Sequence, residues 1–77
     1  MITMTNKCLA EKITWLFVDN DMLQGSTSYE LMEATERALN SHDKESINVM
    51  LEYFSEMRIT NNEDARQIYF ELQERLK

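Results

Sequence analysis

The residues best placed to do chemistry stand between positions 19 and 30. The stretch D-N-D-M-L-Q-G-S sets Asp19 and Asp21 one residue apart, follows them with the lone glycine, Gly25, and is trailed by Glu30. A calcium loop needs side-chain oxygens at positions 1, 3 and 5, glycine at 6 for the sharp turn, and a bidentate glutamate at 12. Counted from Asp19, Asp21 is third and Glu30 twelfth. The fifth residue is Leu23, which has no side-chain oxygen, and the sixth is Gln24, so the glycine arrives one residue late. No metal is expected here. The same letters spell the end of one helix and the start of the next, with Gly25 in a left-handed or turn conformation.

Catalysis has still less to work with. General acid–base and nucleophilic chemistry need groups that meet in a shielded pocket. His42 is the only histidine and falls in the polar link Asn40–Asp43. Cys8 stands beside a helix start with no histidine near it in sequence, and reads as a buried or half-buried inert thiol. No Glu-x-x-His pair supports a di-metal carboxylate bundle, and ligands for zinc are lacking. The sequence therefore predicts no enzyme, no catalytic residue and no cofactor.

Composition bounds the rest. The 77 residues allow one domain, residues 1–77, with one modest core. A hydrophobic content of 43% suffices for a globular chain. With no proline and one glycine, hardly a residue opposes helix. The longest apolar run, Trp15 to Val18, is far too short to span a bilayer, and the N-terminus does not read as a signal peptide. One cysteine forms no internal disulfide, which fits a reducing cytoplasm. Fourteen acids against eight bases give a net charge of −6, spread along the chain, which repels phosphate backbones.

Four segments carry helical periodicity. The first runs from about Asn6 to Asp19 with a stripe of Leu9, Ile13, Leu16 and Phe17. The second begins at a capping box, Thr27-Ser28-Tyr29-Glu30, and carries Leu31, Ala34, Thr35, Ala38 and Leu39. The third spans about Lys44 to Arg58, capped by Asp43, with Ile47, Met50, Leu51, Phe54 and Met57. The fourth opens on a second box, Thr60-Asn61-Asn62-Glu63, and continues along Ala65, Ile68, Tyr69, Leu72 and Leu76. Breaks are expected near Asp21–Ser26, Asn40–Asp43 and Ile59–Asn62. The fold class is all-α, a small bundle of three to four short helices.

Some apolar residues miss these stripes. Cys8, Trp15 and Met22 recur every seven residues to one side of the first stripe; Val49 and Tyr53 lie off the third, and Phe70 off the fourth. Helix one could be buried on two sides. The alternative is a second apolar surface, and Trp and Tyr are types that dominate protein contacts. A chain this short buries only about 60% of its surface alone, so pairing would help it. Trp15, Val49, Tyr53 and Phe70 are the candidate interface residues, for a homodimer or an unidentified protein partner.

Three stretches resemble the small enterobacterial two-component-system connector proteins, the biofilm and acid-resistance regulators. They are A-E-K-I-T-W-L-F-V-D-N-D, E-L-M-E-A-T-E-R-A-L-N and K-E-S-I-N-V-M-L-E-Y-F-S-E-M, followed by a polar break and a last helix. The resemblance covers most of the chain and rests on apolar spacing. It implies a non-enzymatic dimeric regulator that binds signalling proteins, with DNA contact a lesser role, and it carries over no functional residue. Two other classes stay open: an acidic inhibitor or antirepressor that occludes a basic nucleic-acid-binding protein, and a DNA-binding transcriptional regulator. The last would read the second and third helices as a helix-turn-helix, whose recognition face holds Glu45, Glu52 and Glu56 against Lys44 and Arg58.

Overall fold

A computed structural model describes residues 4–19, 25–56 and 62–77, which form four helices in chain order with no strand among them. Helix α1 spans Asn6–Asp19 and starts where expected; the expected alternative, that it runs on to Gln24, lies outside the described residues. Its start is fixed by Thr5, whose hydroxyl oxygen accepts the Cys8 N–H at 3.1 Å while its carbonyl accepts the Leu9 N–H at 3.0 Å. That hydroxyl satisfies one of the donors every helix start leaves open.

Helix α2 spans Gly25–Asn40 and so begins two residues before the expected Thr27. Gly25 is the first helical residue and not a left-handed turn. Poor helix propensity costs little there, because first-turn N–H groups have no intrahelical partner to lose. Residues 20–24, which hold most of the aspartate-rich stretch, lie outside the described residues.

The α2–α3 turn is built more tightly than its sequence suggests. The His42 N–H returns to the Leu39 carbonyl at 3.2 Å and the Asp43 N–H to the Ala38 carbonyl at 3.1 Å. These are the two bonds of a Schellman ending, with His42 at φ 54° where glycine is the usual occupant. Asp43 at once caps α3, Lys44–Glu56, accepting the Ser46 N–H at 3.3 Å and the Ser46 hydroxyl at 2.9 Å. The expected continuation through Met57 and Arg58 falls outside the described residues.

Helix α4 spans Glu63–Leu76 and corrects the second capping box. Its cap is Asn62, whose side chain accepts the Asp64 N–H at 2.8 Å, and not Thr60, which lies with Asn61 outside the described residues. Asparagine is among the best cap residues, and Glu63 and Asp64 then complement the positive end of the helix.

Helix α1 packs between α2 and α4, α3 packs on α4, and α2 and α3 meet only lightly. The core holds Leu9, Ala10, Ile13 and Leu16 from α1, Leu39 from α2, Ile47 and Phe54 from α3, and Ala65, Ile68 and Leu72 from α4. Each large aliphatic or aromatic side chain so buried contributes about 1.5–3 kcal/mol. Phe17 stacks on Phe54 with ring centroids 5.5 Å apart. Thr14 enters the core because its hydroxyl donates to the Ala10 carbonyl at 2.8 Å. On α2 the expected stripe is only partly used: Thr35 and Leu39 are buried, Leu31 and Ala38 half-buried, and Ala34 exposed.

Candidate interaction surfaces

One end of the α1–α4 pair is locked by charge. Arg75 and Glu71 are an i, i+4 pair with side chains 2% and 0% exposed, their Nη1 and Oε1 atoms 3.1 Å apart. Arg75 also donates from Nη1 to the Glu71 carbonyl at 3.0 Å, from Nη2 to the Met4 carbonyl at 2.7 Å and from Nε to Asn6 Oδ1 at 2.8 Å. The Met4 N–H donates to Glu71 Oε1 at 3.0 Å, and Asn6 Nδ2 donates to Asn40 Oδ1 at 2.9 Å. Among the described residues no buried side-chain nitrogen or oxygen lacks a partner. The cluster therefore turns inward and fastens residues 4–6 to α4.

Outside this lock the α1–α4 seam carries a second polar bridge. Lys12 Nζ donates to Gln67 Oε1 at 2.8 Å and stands 3.3 Å from Asp64 Oδ1. With residues 4–6 beside 71–75 and Lys12 beside 64–67, the two helices run antiparallel. Trp15 follows Lys12 by three positions and Phe70 follows Gln67 by three, so their backbone positions lie on opposite sides of the bridge, about 9 Å apart along the helix axes. Both are exposed, Trp15 at 53% and Phe70 at 41%.

The other two candidate residues lie on α3, away from that seam. Val49 is 61% exposed and lines an open groove of about 460 Å³ between α2 and α3. Ala34, Thr35 and Ala38 form its α2 wall; Ser46 and Met50 join Val49 on the α3 wall, with Glu45 at the rim. Tyr53, at 39%, is half committed to the core: its ring meets Phe17 edge-on at 5.2 Å and Phe54 at 6.4 Å. Among the described residues no ring contact joins Trp15 or Phe70 to this cluster. The four residues thus fall in two groups, Trp15 and Phe70 on the antiparallel pair α1 and α4 and Val49 and Tyr53 on α3, a division that sequence spacing could not give. Among the described residues Tyr29, at 73%, is the most exposed of the large apolar side chains, and in the sequence it stands inside a capping motif.

Cys8 corrects an expectation: it is an exposed free thiol, because the α1 face bearing Lys7, Cys8 and Trp15 points to solvent. His42 is exposed in its turn. Among the described residues no group of three or more His, Cys, Asp or Glu could hold a metal ion, and no helix is long and apolar enough to cross a membrane. Compared with known proteins, the chain matches no family model, no curated protein and no solved structure.

Proposed function

We propose that this chain is a small acidic regulator that works without catalysis, as a homodimer, by binding another protein. The observation behind this reading is that Trp15, Val49 and Phe70 stand open to solvent and Tyr53 partly so, while among the described residues ten apolar ones close the core. Scattered exposed apolar atoms are ordinary, but a tryptophan and a phenylalanine on the neighbouring helices α1 and α4, and a valine beside an open groove, offer two separate contact areas. A dimer needs one of them and leaves the other for a partner. The resemblance to the connector proteins points the same way, since it implies dimeric regulators of signalling proteins.

The net charge of −6 supports a second reading, an acidic inhibitor that covers a basic nucleic-acid-binding protein. Salt separates the two. Capture through apolar contacts persists as salt rises, whereas a charge-driven complex dissociates. The test of the main reading combines solution mass with partner capture at low and high salt. Trp15→Ser combined with Phe70→Ser should abolish capture with helicity and melting little changed. Undiminished capture by that double variant, or a wild-type chain that stays monomeric at every concentration, would overturn the reading.

A further inference from the structure

Resting on the homodimer reading, we infer that the α2–α3 groove is the seat of the dimer and that its occupant is the same groove of a second copy. A two-fold interface must be self-complementary, each feature meeting its counterpart on the other copy. The groove has that property in shape. Ala34 and Ala38, one turn apart on α2, leave a shallow step without bulk, and Val49 projects from α3 on the facing wall. A two-fold rotation sets each Val49 against the other copy's Ala34–Ala38 step, with Met50 beneath.

Charge makes the same match. Two chains of net charge −6 repel one another over most of their surface. Around this groove the signs are mixed: Glu45 stands on its rim and Arg37 lines the adjoining hollow with Ser41 and Asp43. Asp43 is engaged in capping α3. Arg37 and Glu45 have no ion-pair partner among the described residues. Across a two-fold axis, Arg37 of each copy meets Glu45 of the other, giving two reciprocal pairs at the rim of an apolar contact. The α1–α4 seam lacks this balance, because its bridging bases are already held, Lys12 by Asp64 and Gln67 and Arg75 by Glu71 and residues 4–6.

Sedimentation of the full chain tests this directly. Arg37→Glu alone and Glu45→Arg alone each place like charges opposite one another in both pairs, and each should weaken self-association by about tenfold or more. Mixed in equal amounts, the two variants should associate with each other about as tightly as the wild type, because every pair is again opposite in sign. Val49→Lys should sediment as a monomer with unchanged helicity, its position being exposed. A wild-type dimer that ignores all three substitutions, or a mixture no tighter than either variant alone, overturns the groove as the seat while leaving the homodimer standing. A wild-type monomer overturns the homodimer reading itself. A monomer that instead captures a different protein, and loses it on Val49→Lys, assigns the groove to that protein and overturns the second copy as its occupant.

Discussion

The locked end of the α1–α4 seam and the open α2–α3 groove are built against the grain of their residue types. At the lock, a glutamate and an arginine are buried; in the groove, an alanine of the expected core stripe is exposed and a valine lies bare beside it. Long-range partners explain the difference. Glu71 and Arg75 can be buried because residues 4–6 arrive with a carbonyl, an N–H and an amide to complete them. Ala34 and Val49 stay exposed because α2 and α3 share a tight turn and diverge from it, each packing on another helix. Burial follows from which neighbour arrives, and hydrophobicity sets only what that burial contributes.

The contrast can be broken most forcefully at the lock. Arg75→Ala leaves Glu71 buried without its cation and should cost about 3–5 kcal/mol, whereas replacing both by apolar residues of similar volume should cost far less or stabilise. Denaturant unfolding of the single and double variants checks this; a single-variant loss below about 1 kcal/mol would mean that water reaches the pair. Next in size is the cap of the helix that carries the lock. Asn62→Ala should destabilise by about 1 kcal/mol, read as a lower denaturant midpoint at unchanged slope. No change at that position would place the helix start elsewhere.

On the open side the expected effects are smaller and one has the opposite sign. His42→Gly removes a side chain from a left-handed position and should raise stability by about 0.5–1 kcal/mol, seen as a higher melting temperature. A decrease would show that the imidazole makes a contribution outweighing its backbone cost. Smallest of all, Val49→Ser should change folding stability by less than about 0.5 kcal/mol when measured on the monomer. A loss near that of a core truncation, about 2–5 kcal/mol for a large aliphatic residue, would mean the groove closes in solution.

Much of the fold could be read from local patterns. The start of α1, the cap at Asp43 and the buried Leu9, Ile13, Ile47, Phe54, Ile68 and Leu72 all follow from period and capping chemistry. Two helix starts did not follow, because two or three candidate caps compete within a few residues and only packing chooses among them. The lock left a signal that was easy to pass over: Ile68, Glu71, Leu72 and Arg75 share the i, i+3, i+4, i+7 spacing of a core stripe. Two charges on that stripe read as solvated until residues 4–6 are known to lie across them. The candidate surface was legible residue by residue, through Trp15, Val49, Tyr53 and Phe70, but its division in two depends on which helices are neighbours.

The hydrogen bond from Arg75 to the Met4 carbonyl joins residues 71 apart, so the last helix comes back to the residues that lead into α1. Seen as a path, the described part of the molecule is nearly a ring fastened by a buried clasp, with a tight corner at His42 between α2 and α3. Such a path does not depend strongly on where it is cut. A chain opened at the Ser41–His42 corner and bridged near residues 4 and 75 would keep every core contact and make the clasp local. It would also shift the entropy of closing a 71-residue loop from the clasp to the corner.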